Sequence, residues 1–322
     1  MKKSIKIGAA LIAPVLLTRR VSLIFIKNIL AAVPDRNNTL TESPASSEDF
    51  TDDPSKAAYM ENRRKLRAMG NEFEQTMQDT SIINSDGLKL CAKYRIQDEQ
   101  THNWIISIHG YKDSHHFMLP YGAVFYRKGY NVLLPDNRAH GASEGNYIGM
   151  GWLDKEDISE WVQWIIERDS EAKIILHGVS MGGATVMMTS GKNLDHVIGY
   201  IEDCGYTSVW DIFACVMKRD YHLPAFPILH TCCLISRYKL GYDYVKASAL
   251  TELKKCNKPM LFIHGEQDDF VPTSMGHRVY EAFSGTKDLY IAKDAGHANA
   301  MDYDPTTYFA KVFEFIDNNI LS

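Results

Sequence analysis

The stretch HGVSMGG, residues 177–183, follows the apolar run Ile174-Ile175-Leu176 and leads into the small and flexible Ala184-Thr185-Val186-Met187-Met188. An apolar strand, a turn with glycine on both sides of a serine, and then a helix is the local order that exposes a serine hydroxyl at the carboxyl edge of a sheet. Gly178 and Gly182 have a physical task there, because a side chain at either position would crowd the tight turn. The start of the following helix presents backbone N–H groups to a developing anion. A plain glycine-rich turn has the same five-residue pattern, so Ser180 needs partners elsewhere in the chain before it reads as a nucleophile.

Outward from this turn, short apolar runs recur on both sides. SIIN (81–84), LKLCAKYRI (88–96) and NWIISIHG (103–110) read as three strands, with Asp86-Gly87 as the turn between the first two. NVLLP (131–135), KIILHG (173–178), VIGYIED (197–203), PMLFIHG (259–265) and DLYIAK (288–293) follow. Each is nearly continuous in apolar residues, as expected of strands covered on both faces. Helical periods lie between them, the clearest from Asp154 to Arg168, where Ile158, Trp161, Val162, Ile165 and Ile166 form one stripe. An antiparallel start followed by strand and helix alternation predicts one mostly parallel, doubly wound sheet.

A serine hydroxyl becomes a nucleophile only when a base takes its proton and a carboxylate orients that base. Asp268 stands three residues after Gly265, just past a strand end, and His297 lies 29 residues further on, in DAGHAN after the last strand. The order Ser180, Asp268, His297 is the chain order such a sheet uses. HGYKD (109–113) directly follows the strand WIISI, so the backbone N–H of Tyr111 can join that of Met181 in holding an oxyanion. Asp269, next to Asp268, and Asp203, after the sixth strand, are the competing acids.

These residues resemble the α/β-hydrolase superfamily. The likeness runs from about Ile82 to the end and includes SDGLKLCAKY (85–94), DNRAHGASEG (136–145), IEDCGYTS (201–208) and HGEQDDFVP (264–272). It is similar to the bacterial esterase-like branch that also resembles prolyl-oligopeptidase-type peptidases. The resemblance implies an α/β-hydrolase fold with Ser180 as nucleophile, Asp268 as orienting acid, His297 as base, and Tyr111 and Met181 as oxyanion donors. The serine separates it from relatives with a carboxylate or cysteine at this position. No Gly-x-Gly-x-x-Gly follows the first strand and no phosphate loop is present, so no cofactor is expected.

The remaining candidates have plainer readings. His115-His116 is expected to point apart rather than to hold a metal, and no metal site is predicted. His109, His177 and His264 precede glycines at strand ends and are read as loop-shaping residues, with Arg138 and His140 bracing the active-site loops. The six cysteines show no CxxC pair and no regular spacing, which excludes an obvious zinc site or disulfide framework.

Three segments divide the chain. Residues 1–36 carry a charge of +6 and an apolar run from Ile7 to Leu17, leaving −11 for the remainder. Arg19-Arg20 interrupts the run before it reaches the about 20 residues that a span needs. A membrane-surface segment is expected there, with a cleaved signal and an ordinary packed helix as the alternatives. Residues 37–79 read as an acidic linker and a docking helix from Ala57 to Met77, and residues 80–322 as the catalytic domain. The body lacks a basic stripe, so nucleic acid is not an expected partner.

Between the sixth strand and PMLF the connection exceeds one crossover helix. Its aromatics, Trp210, Phe213, Tyr221, Phe226, Tyr238, Tyr242 and Tyr244, predict a small helical cap over about 207–250. An apolar cap suits small ligands, so the expected reaction is hydrolysis of carboxylic esters with short to medium acyl chains. A peptidase or amidase acting on short peptides is the alternative, and a binding module on an inherited scaffold is a third reading of another class.

Overall fold

All eight apolar runs are strands of one sheet in the computed structural model, which describes residues 2–32 and 54–321. The strands are β1 (Gln78–Ile83), β2 (Lys89–Arg95), β3 (Asn103–Ile108), β4 (Asn131–Pro135), β5 (Lys173–Val179), β6 (Val197–Asp203), β7 (Met260–Gly265) and β8 (Lys287–Ala292). Their spatial order is β1-β2-β4-β3-β5-β6-β7-β8. Only β1 with β2 and β2 with β4 pair antiparallel; the rest are parallel. Continuous apolar sequence has its physical reason here: β4 and β7 are buried along their whole length, with helices on both faces.

The helices are α1 (Lys2–Leu30), α2 (Pro54–Glu74), α3 (His115–Arg127), α4 (Asp154–Ile166), α5 (Met181–Ser190), α6 (Val209–Tyr221), α7 (Ala225–Lys239), α8 (Ala249–Leu253), α9 (Thr273–Ala282), α10 (Ala300–Tyr303) and α11 (Pro305–Phe315). The helices α6, α7 and α8 all fall between β6 and β7; α6 and α7 form the cap inserted after the sixth strand, and α8 packs on α5 and α9. Phe213, Tyr242 and Tyr244 are buried inside it, whereas Phe226 and Tyr238 face outward.

The docking helix is displaced from its expected bounds. It ends at Glu74, and Met77 lies in the turn before β1. Leu66 and Phe73 are buried, with Phe73 packed on Tyr126 at 5.3 Å, but Met60 faces outward. Asn62 also donates to the backbone oxygen of Asp302 at 3.2 Å, so α2 lies along the end of the domain. The linker preceding it, residues 37–53, lies outside the described residues.

Among the described residues no helix is long and apolar enough to cross a membrane. The second half of α1 packs into the domain. Phe25, Ile26 and Leu30 join the main core, and Phe25 meets Phe213 at 5.8 Å and Tyr221 at 5.4 Å, both edge-on. Ser22 Oγ donates to Ile228 O at 3.1 Å, and the backbone of Ala32 and Ile148 pairs with that of Asn146 and Leu30.

Candidate active site

Ser180 sits between β5 and α5 with φ 58° and ψ −116°, a strained left-handed backbone for a residue that is not glycine. Its N–H donates to Asp203 O at 2.7 Å, which ties the turn to the neighbouring strand. A Cβ on Gly182 would run into Ile108 O, and one on Gly178 into Gly182 O. The glycines therefore permit the close approach of α5 to β3 and β5 that exposes the serine.

Three side chains from three strand ends meet there. Ser180 Oγ lies 2.8 Å from His297 Nε2, and His297 Nδ1 lies 2.7 Å from Asp268 Oδ2. The other Asp268 oxygen accepts from the backbone N–H groups of Phe270 and Val271 at 3.0 and 2.9 Å. Burial alone would raise this carboxyl, but hydrogen bonds from His264 and His297 and their charges outweigh it and hold Asp268 at about 2. Phe270 covers the His297 ring at 4.8 Å.

The competing acids are placed elsewhere. Asp269 is exposed, and its backbone oxygen accepts from Arg219. Asp203 accepts from Tyr308 OH at 3.0 Å and is pushed up to about 6 by burial. His264 is the residue that motif reading undervalued: its Nε2 is 3.4 Å from Asp268 Oδ2 and 2.9 Å from Val271 O, so it steadies the acid loop. Its signal was the HGEQD spacing, which sets a histidine four residues before the acid at the mouth of a strand.

The loop after β3 passes beside the serine, close enough that a Cβ on Gly110 would lie 3.8 Å from Ser180 Oγ. Met181 follows Ser180 in sequence at the start of α5, and Tyr111 follows Gly110 in the neighbouring loop. Neutral histidines hold this loop. Burial lowers His109 to about 4 and His140 to about 3. His109 Nε2 accepts from Asn137 N–H at 2.9 Å while its Nδ1 donates to Gly110 O at 2.7 Å. His140 Nε2 accepts from Lys112 N–H at 3.1 Å. Arg138 braces the adjoining loop through a two-point pair with Asp157 at 2.6 and 2.7 Å and a third bond to Asp86.

Sequence reasoning also missed the amino-terminal contribution. Tyr111 OH donates to Ile29 O at 2.6 Å, which hangs the loop after β3 on α1. A cavity of about 460 Å³ adjoins His297, and its far wall is α2, with Arg63, Leu66 and Arg67 facing Phe117, Tyr121 and Asp269. The cap aromatics named from sequence do not line it; several fill the cap's own interior instead.

Among the described residues, two side-chain groups are close enough to share a metal ion: Cys204, Asp268 and His297, and Glu74, His115 and His116. The first is the site itself. In the second the adjacent histidines do not point apart as expected, because both begin α3 and their rings stack at 4.1 Å. Both Nε2 atoms face Glu74 Oε1, at 3.7 and 3.5 Å, and Lys93 Nζ lies 3.7 Å from that oxygen. Lys93 is shared with Asp79, at 3.0 Å, and burial lowers His116, so the cluster reads as a polar contact tying α2 to α3.

Known proteins are similar to this chain. Residues 99–213 match the hydrolase family model described as serine aminopeptidase, S33. Protein YqkD of Bacillus subtilis (strain 168) is 33% identical over 248 residues, covering 76% of this chain and 81% of that one. A thermostable monoacylglycerol lipase of Bacillus sp. (strain H-257) is 22% identical over 232 residues, covering 66% and 89%. The Pyrococcus furiosus esterase Pf2001 superposes with a TM-score of 0.62 at 24% identity, over 80% of this chain and 95% of that one. The chain belongs to the α/β-hydrolase superfamily and is a hydrolase.

Proposed function

We propose that this hydrolase is a serine esterase that cleaves carboxylic esters of short to medium acyl chains through an acyl-enzyme on Ser180. The observation that carries the reading is the continuous chain Ser180–His297–Asp268, at 2.8 and 2.7 Å, beside a small cavity. His297 Nε2 takes the Ser180 proton as Oγ attacks the ester carbonyl. The N–H groups of Tyr111 and Met181 hold the resulting oxyanion, and Asp268 holds the imidazolium that forms. Collapse expels the alcohol, which receives the proton from His297; water then attacks the acyl group with His297 again as base.

A cavity of about 460 Å³ falls in the size range of small-molecule sites. The esterase and monoacylglycerol lipase among the similar proteins support an ester. A second reading, cleavage of aminoacyl amides, is favoured by the family description. Initial rates on para-nitrophenyl esters from acetyl to dodecanoyl, with aminoacyl anilides alongside, separate the two. Ser180→Ala should abolish whichever activity is found; an equally active alanine variant overturns both readings.

The amino end, with its basic residues and apolar runs, is proposed to bring the protein to a membrane surface. Phe25 and Leu30 are structural, so deletion of α1 is a poor test. Replacing the exposed Leu16, Leu17 and Ile24 by serine leaves the core intact. Unchanged recovery in pelleted membranes would remove the proposal.

A further inference from the structure

The apolar surface of α1 does not stop at α1. Leu16, Leu17 and Ile24 stand 54–64% exposed, and beside them the outer face of α7 shows Phe226 at 71%, Leu234 at 64% and Tyr238 at 92%. These six are nearly half of the thirteen large apolar side chains that stand exposed among the described residues. A groove of about 730 Å³ joins the two helices, with Arg19, Leu23, Phe226, Leu234, Tyr238 and Lys239 in its wall. The inner faces are fastened: Ser22 Oγ donates to Ile228 O, and Cys232 Sγ lies 3.7 Å from Ser22 O. The two outer faces therefore move as one surface.

Its charge points to one occupant. Neither helix contains an aspartate or glutamate, whereas α1 carries Lys2, Lys3, Lys6, Arg19, Arg20 and Lys27, and α7 carries Arg237 and Lys239. Among the described side chains of this set, Arg237 has a nearby carboxylate, Asp243 at 3.5 Å. Exposed leucine, phenylalanine and tyrosine edged by cations without acids is the composition of a face that lies in the headgroup boundary of an anionic bilayer. An apolar patch of this kind calls for a partner.

We infer that the cap helix α7 is the second half of the membrane-binding surface, lying with α1 on an anionic bilayer and setting Phe226, Leu234 and Tyr238 into the lipid boundary. This rests on the reading of α1 as membrane-associating and extends it to the cap, the insertion that follows β6.

The test is co-sedimentation of the full chain with vesicles of phosphatidylcholine alone and of phosphatidylcholine with phosphatidylglycerol. The wild type is expected in the pellet with the anionic vesicles. F226S/L234S/Y238S, with α1 unchanged, should weaken partitioning about tenfold or more. R19Q/R20Q should weaken it about tenfold on anionic vesicles only. Thermal unfolding midpoints control for folding, and Leu234→Ser alone, at an exposed position, should still weaken binding about threefold. If the α7 variants bind as the wild type while L16S/L17S/I24S releases the protein, the cap has no part and the inference fails with the α1 reading intact. Binding of the wild type to neither vesicle overturns both. A wild-type dimer in sedimentation velocity that the α7 variants make monomeric assigns the face to a second copy and overturns the inference as well.

Discussion

Asp268 shows how much one carboxylate is asked to do. It accepts two backbone N–H groups and faces two histidines, and that set of partners keeps it ionised against the cost of burial. Asp268→Asn keeps the shape but favours the wrong tautomer of His297, so kcat should fall about 10⁴-fold with KM little changed. Ser180→Ala should cost at least about a thousandfold on the same ester, with an unchanged circular dichroism spectrum. The reading of Asp268 over Asp269 was available from spacing after β7, but the deciding facts are burial and the two N–H bonds. Those depend on how the loop to Val271 turns, which no periodicity reports. His264 was visible as a strand-end histidine; that it touches the acid was not.

At the scale of elements, the central strands were legible because burial on both faces demands unbroken apolar runs, as in β4 and β7. The elbow was legible because its glycines answer a local steric need. Gly182→Ala would push a methyl into the carbonyl of Ile108, so this variant should lose soluble expression or unfold at a markedly lower urea concentration. The roles of α1 and α2 were hidden, because each has a partner more than 200 residues away, 206 for Ser22 and Ile228 and 240 for Asn62 and Asp302. Composition marked α1 as basic and apolar, which suits a packed helix and an interfacial one alike, and from Leu16 onward the structure has it buried on one face and bare on the other. Phe25→Ala should therefore cost about 3–5 kcal/mol in urea unfolding, as core phenylalanines do. A loosely tethered helix would show no change. Tyr111→Phe removes a single bond to Ile29 O and should cost about 1 kcal/mol.

Across the whole molecule, buried titratable groups pull stability in opposite directions as pH changes. His109, His140 and His177 are lowered by burial to about 4, 3 and 3, so their folded forms resist protonation, and the stability they contribute above 6.5 is lost as pH falls. Asp268, lowered from 3.8 to about 2, adds to the loss at the acid end. The opposite sign holds for carboxyls that burial raises. Asp113, Asp154, Asp203 and Asp302 are each pushed up to about 6, and Glu202, beneath the elbow with Gly205 N–H on one oxygen, to about 8. Their contribution is complete below the ordinary carboxyl range and declines as pH rises through these values. Between about pH 4 and 6 the five raised carboxyls outweigh the three lowered histidines, so unfolding free energy against pH should form a dome with its top near about pH 4, falling below it as Asp268 and the histidines protonate and declining more gradually towards alkali. Glu202 dominates the alkaline limb, because its neighbours finish titrating near 6. Glu202→Gln stays neutral in both states and should flatten the decline between about pH 6 and 8, where one proton accounts for up to about 1.4 kcal/mol per pH unit. An unchanged alkaline limb in urea titrations of this variant would mean that Glu202 is already ionised in the folded protein.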